Sequence, residues 1–269
     1  MLIDTHAHLD YSDFEPDRDQ VFQRAQEAGV TRMISIGTNA KTSANAVRLA
    51  SSFPFIWATV GIHPTEVDEA MKSDFEILQE LVQYKHVAAV GEIGFDFHHL
   101  PGKELSPEEA APLIQKNKEA QEYWFRKQLD LAVSHQFNVV IHQRDAWDDT
   151  LRVLREYRGK VRGVYHCFGG TYEQAMEVIE LGNLVSFTGI ITFKNAKQVQ
   201  ETARLISSDH FMVETDCPYL APVPYRGKRC EPFHTRLVAE KIAELRGVSL
   251  EEIARSTSRV AESFFRLQD

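Results

Sequence analysis

Eight short β-rich runs recur along this chain, each parted from the next by a stretch that reads as helix, and this alternation limits the fold more than any other feature. The runs are MLIDTH, RMISIG, FIWATVGIH, VAAVGEIGF, FNVVIH, VRGVYHCF, LVSFTG and HFMVETD. Helical stretches are expected at 17–28, 42–52, 74–84, 147–157, 172–181 and 196–206. Strands joined through helices need crossover connections and so lie parallel. Eight such units in roughly 250 residues predict one α/β domain, a (β/α)8 barrel with its chemistry at the C-terminal strand ends. An open doubly wound sheet fits less well. No G-x-G-x-x-G follows the first run, and polar residues end many strands instead of gathering at one switch point.

Two segments break the rhythm. The connection after the fourth run is extended at about 98–120, with prolines at 101, 107 and 112. It predicts a loop with a short helix, then a long helix ending near His135. A proline-rich loop, CPYLAPVPYRGKRCEPFH, follows the eighth run, and helices at about 232–246 and 250–267 close the chain. Ser249 and Glu252 form a capping-box pattern at the start of the last one. With no linker or repeat, residues 1–269 read as a single domain.

Composition narrows the function classes. No apolar run nears the roughly 20 residues of a membrane span. The N-terminus shows no basic-then-apolar secretory pattern. Cys167, Cys217 and Cys230 are odd in number and form no C-x-x-C, which points to a reducing cytoplasm. A net charge of −9 excludes a uniformly basic nucleic-acid coat but not an enzyme that handles a strand end.

The first run carries Asp4 and His6, and His8 follows two residues on. Alternate strand residues share a face, about 6 to 7 Å apart, so both imidazoles can lean onto one cation. Alone, H-x-H fits equally well two strand-end residues bonded to backbone. The repetition of the placement changes the reading. Glu92, His142, His166 and Asp216 each end or follow another run, and His63 sits in GIHP. Four histidines and two carboxylates crowded at one rim need a compensating cation. Six ligands exceed one tetrahedral zinc, so a pair of divalent ions fits better. His6, His8 and Asp216 are assigned to one ion, His142 and His166 to the other, with Glu92 bridging. The ions' identity among Mg, Mn, Zn, Ni, Fe and Co stays open, because supply as well as affinity decides it.

The ordered motifs DTHAHLD, VGIHP, GEIGFDF, HQRDA, HCFGG and ETDCPYLAP resemble the TatD family of metal-dependent hydrolases, from about residue 2 to residue 267. The resemblance implies a TIM barrel with divalent metals at its mouth, held by His6, His8, Glu92, His142, His166 and Asp216. It also implies hydrolysis of ester bonds, commonly deoxyribonuclease action that removes nucleotides from a DNA 3′ end. Some relatives are linked instead to ester cleavage on aminoacylated tRNA. His63, in the family's G-x-H-P, is expected to touch the substrate phosphate. Two departures stand out: the long connection from His98, and Cys230 where relatives often carry Asn.

A pair of divalent cations makes water acidic enough to attack near neutral pH. Asp216 is the expected proton acceptor, with Glu92 as the other catalytic carboxylate. Arg144, two residues past His142, and Arg226 in RGKR are the expected phosphate contacts. Glu214 is expected to hold the far nitrogen of a histidine ligand. Cys167 and Cys217 each follow a ligand and by strand alternation should turn away from the site. The expected substrate is a nucleic-acid end or another phosphoester, with no membrane partner. An amide or ester hydrolase using the same site, aminoacyl-tRNA deacylation included, is the alternative. A non-catalytic metal-binding protein is the third reading.

Overall fold

The computed structural model describes residues 1–267. Eight strands form one parallel sheet in chain order: β1 (Leu2–Ala7), β2 (Val30–Ser35), β3 (Ile56–Val60), β4 (Val87–Asp96), β5 (Asn138–Arg144), β6 (Gly163–Tyr165), β7 (Leu184–Phe187) and β8 (Phe211–Val213). Past β8 the chain rejoins β1. Asp216 N–H donates to His6 O at 2.8 Å, and His8 N–H donates to Cys217 O at 2.9 Å. These two bonds draw the last strand to the first and close a (β/α)8 barrel.

The crossover helices are α1 (Arg18–Glu27), α2 (Ala40–Ser52), α3 (Lys72–Leu81), α4 (Pro107–His135), α5 (Trp147–Glu156), α6 (Tyr172–Glu180) and α7 (Lys197–Leu205). α8 (Thr235–Arg246) and α9 (Leu250–Phe265) follow the last strand. The expected short helix before a long one does not form. A single helix of 29 residues, α4, begins at Pro107 instead. Proline suits the first helical position, where its missing N–H has no partner to lose. Ser106 completes the start: its hydroxyl accepts from Glu109 N–H, and the Glu109 carboxylate accepts from Ser106 N–H. Pro112 follows within two turns, on an exposed stretch of the helix. The segment expected as a helix from 232 likewise starts as a 3-10 turn, Pro232–His234, before α8.

Below the mouth the barrel is filled with apolar side chains. Val140, Val164 and Met212 precede His142, His166 and Glu214 by two positions and share their strand faces. They cluster with Ile34, Leu184 and the α9 residues Phe264 and Phe265, all buried. Asn138 Nδ2, at the start of β5, donates to Phe264 O at 2.6 Å, which places the end of α9 against the lower end of the barrel. The floor is therefore packed with apolar side chains, and the cluster of histidines and carboxylates sits at the upper rim.

Candidate metal centre

Each charged side chain reaches the rim through a specific local device. His6 and His8 alternate along and just past β1, with Asp4 on the same face. Asp4 is fully buried and accepts from Thr215 N–H at 2.9 Å and from the Thr215 hydroxyl at 2.6 Å. That clamp holds the turn beyond β8, where Asp216 adopts a left-handed backbone (φ 59°). Glu92 projects from the middle of β4, beside glycines that permit close strand approach. A Cβ on Gly94 (φ +143°) would lie 2.0 Å from His142 O. Only glycine lets β4 and β5 come near enough to set Glu92 against His142. His166 is the first residue after β6.

The side chains converge as two groups. In the first, His8 Nε2 lies 3.3 Å from Asp216 Oδ1, and His6 Nε2 lies 3.5 Å from the same oxygen and 3.4 Å from Glu92 Oε2. Ligands about 2.1 Å from a tetrahedral zinc are separated by about 3.4 Å, the edge of the tetrahedron. In the second, His142 Nδ1 and His166 Nε2 each approach Glu92 Oε1 to 2.7 Å and are 3.1 Å apart. Glu92 thus presents one oxygen to each group. His6, His8, Glu92, His142, His166 and Asp216 all meet in one place.

The donor chemistry fits cations. Both ring nitrogens of His6 are buried without a hydrogen-bond partner among the described residues. His142 Nε2 is 3.1 Å from Asp96 Oδ2, and a carboxylate only accepts, so this nitrogen carries the ring proton. Nδ1, 2.7 Å from Glu92 Oε1 and 3.1 Å from His166 Nε2, is then the nitrogen a cation would take once its own proton has left. His63 is fixed the opposite way. Thr65 N–H donates to His63 Nδ1 at 3.2 Å, so the neutral ring keeps its proton on Nε2, 3.4 Å from Glu92 Oε1. In that form His63 is a donor at the mouth and not a metal ligand, although its position alone would group it with Glu92 and His142.

Electrostatics tell the same story. Burial raises the Glu92 carboxyl, but His166, His63, His6 and the bond to His142 outweigh it and hold it well below the ordinary range. Burial likewise raises Asp216, and its bond to His8 with the charges of His6 and His166 brings it below normal. The imidazoles respond in kind. Burial lowers His166, yet Glu92 and Glu214 push it well above the usual value. His8 and His142 are also raised against burial, by Asp216 and by Asp96 with Glu92 respectively. Burial dominates for His6, which is lowered. Protons on histidine here stand in for the positive charge the two carboxylates demand.

Around this centre the expected contacts divide. Arg144 is exposed, lines the cavity above the ligands and makes no ion pair with a described residue; Asp145 pairs with His98 instead, at 2.9 Å. Arg226 does not line that cavity. Its guanidinium lies 3.9 Å from the centroid of the Phe193 ring, whereas Tyr219 and Leu220 of the same loop do line the cavity. Arg229 is committed to Asp17 and Glu231. Glu214 Oε1 stands 3.7 Å from His166 Nδ1, and its carboxylate accepts from Ser186 Oγ at 2.6 Å and Cys167 N–H at 2.7 Å. Cys230 is not a rim residue; it is fully buried, with Sγ 3.4 Å from His234 Nδ1. Cys217 turns into the core, but Cys167 does not turn away. β6 ends before it, the backbone becomes left-handed (φ 49°), and Cys167 lines the cavity. Burial pushes its thiol up to about 12, so it stays protonated and poorly nucleophilic.

Asp96 is the site residue the sequence reading missed. Its carboxylate binds His142 Nε2, His99 Nδ1 at 2.9 Å and His99 N–H at 2.8 Å. The signal was present: Asp96 lies four residues after Glu92 on one strand, hence on the same face.

Comparison with known proteins gives the family. The family model described as TatD related DNase matches residues 3–266. A Bacillus subtilis protein named an uncharacterized metal-dependent hydrolase, YabD, is 37% identical, covering 99% of this chain and 100% of its own. A protein of Pantoea vagans named 3′-5′ ssDNA/RNA exonuclease TatD is 34% identical over 99% of this chain and all of its own. Among solved structures, the TatD homologue YjjV of Escherichia coli K12 superposes with a TM-score of 0.88 at 27% identity, covering 99% of this chain and 98% of that one. With whole-length matches to the family model and to its relatives, the chain belongs to the TatD family and is a metal-dependent hydrolase of that family.

Proposed function

We propose that this protein is a two-metal phosphodiesterase that removes nucleotides from the 3′ end of single-stranded DNA or RNA. The observation that carries the reading is the convergence of six candidate ligands, with Glu92 shared: five line a cavity of about 1400 Å³ and His6 is buried against Glu92 and Asp216. A space of that size admits a strand end and exceeds an ordinary small-molecule pocket. A 34% identical relative bears the name of such an exonuclease.

When bound, divalent cations lower the pKa of water and draw charge from the phosphoryl oxygens. Asp216, kept ionised by its histidines, accepts the proton of the attacking water at a carboxylate oxygen. Glu92 holds the two halves of the site in register. Asp96 orients His142, and Glu214, across 3.7 Å, faces the outer nitrogen of His166. His63 Nε2–H donates to a phosphate oxygen, and Arg144 pairs with it from the rim.

One observation favours a second reading. Among the described residues the cavity wall holds one guanidinium, Arg144, and no lysine. A carboxylic ester or amide substrate, including an aminoacyl-tRNA ester, would need no more. The deciding experiment strips the metals and restores Mg, Mn, Zn or Co singly. Each sample is offered 3′-labelled and 5′-labelled single strands, duplexes and acyl esters. Stepwise shortening from the 3′ end that vanishes in folded Asp216→Asn protein supports the proposal. Turnover of acyl esters with intact oligonucleotides overturns it for the second reading.

A further inference from the structure

Beside the metal centre a small chamber of about 80 Å³ opens between the N-terminal ends of α5 and α6, sharing the walls Gln143, Trp147, His166 and Gln174 with the large cavity. The aromatic rings of Tyr165 and Phe168, with Cys167, Gly169 and Gly170, complete its lining. Trp147 lies 5.9 Å from Tyr165 and 6.3 Å from Phe168, ring centroid to centroid. Tyr165 is 1% exposed, and its hydroxyl has no hydrogen-bond partner among the described residues. A phenol buried this deeply normally finds one.

Two amides face the same space with their oxygens already used. Gln143, oriented to satisfy its neighbours, accepts from the N–H groups of Ala146 and Trp147 at 3.0 Å each. Gln174 Oε1 accepts from Thr171 N–H at 2.9 Å in the cap of α6. Each therefore has its NH₂ end left to donate. Gly170 keeps the wall thin, since a Cβ there would come 2.6 Å from the Phe168 ring and 2.7 Å from Gln174 Oε1.

Resting on the phosphodiesterase reading, we propose that this chamber is the pocket for the nucleobase at the strand end. Among the described residues its wall contains neither lysine nor arginine, so a phosphate lodged there would lack a guanidinium or ammonium partner. A flat, neutral, heteroaromatic ring with acceptors on its edge meets what the wall supplies: aromatic side chains and two amide donors. The Tyr165 hydroxyl, able to donate or accept, completes the edge. Stacking tolerates every base, so the pocket anchors the terminal nucleotide with modest sequence preference. The chamber abuts His166, which places the anchored nucleotide next to the reacting phosphate.

The test uses the metal-loaded full chain and two oligonucleotides that differ only in whether the 3′-terminal nucleotide carries a base. The variants are Tyr165→Phe, which removes only the hydroxyl, and Gln174→Glu, which keeps the capping oxygen but loses the donor. The proposal expects the wild type to prefer the base-bearing end in kcat/KM. Each variant should shrink that preference about tenfold, mainly through KM, the loss expected for one buried hydrogen bond. A merely structural hydroxyl would leave the ratio untouched. Equal wild-type rates on both ends, or variants with an unchanged ratio, overturn the pocket alone. No cleavage of either oligonucleotide overturns the phosphodiesterase reading and the pocket with it.

Discussion

Asp96 leaves Nδ1 as the nitrogen of His142 that can bind a cation, because its carboxylate oxygen 3.1 Å away accepts the hydrogen bond from Nε2–H. Asp96→Ala should therefore weaken metal binding by about 10–100-fold with the fold intact, read by competition with a chromophoric chelator. Unchanged affinity would deny it that role. Loss of the proposed proton acceptor in Asp216→Asn should cut kcat by about 10²–10⁴-fold, measured on whichever substrate the wild type turns over. A pH prediction belongs to His234. It is buried, its Nδ1 accepts from Glu231 N–H at 3.0 Å, and burial lowers its pKa to about 4. Protonation in the unfolded chain begins near 6.5, so the unfolded state binds the proton first as pH falls. His234 thus favours the fold fully above pH 6.5, and about 3 kcal/mol is lost by pH 4. Ring nitrogen shifts in NMR should keep the His234 ring neutral at pH 5; a midpoint near 6.5 would refute this.

The elements make different demands on their residues. β4 and β5 register Gly94 against His142, and this contact leaves no room for a Cβ. Gly94→Ala should lower the thermal midpoint and pull Glu92 away from the second ligand group, so that loss of metal affinity accompanies the destabilisation. A stable variant with full affinity would show the strands can part without cost. α4 was legible only in part. Its prolines suggested an interrupted helix, but Pro107 occupies the tolerated first position and Ser106 with Glu109 caps it. Propensity alone marks proline as a breaker, whereas position relative to the helix start decides its effect. Cys167 shows the converse error. Strand alternation does not extend to Cys167, two residues beyond β6, where a left-handed backbone has already replaced it.

At the scale of the whole molecule, metal binding and folding are linked. His8, His142 and His166 have raised pKa values and must shed protons before they ligate. Calorimetric titration with Zn or Mn near pH 7 should then show a heat that varies with the ionisation enthalpy of the buffer. Buffer-independent heat would mean the imidazoles were neutral beforehand. Saturating metal should also raise the thermal midpoint, by about 2.7 kcal/mol of added stability at 100 times Kd. The sequence by itself determined the barrel and its six ligand candidates, because both are written as periodicity: apolar runs at regular intervals, with a histidine or carboxylate at or near the end of six of the eight. It also placed Asp96 on the ligand face, for a reader who followed the alternation. Tertiary structure alone decided which side chains share an oxygen, which nitrogen of His142 and of His63 keeps its proton, and that Arg226 rests on Phe193 instead of lining the cavity. Those outcomes depend on ångström-scale approach between residues far apart in the chain, and on loops whose direction no repeating pattern encodes.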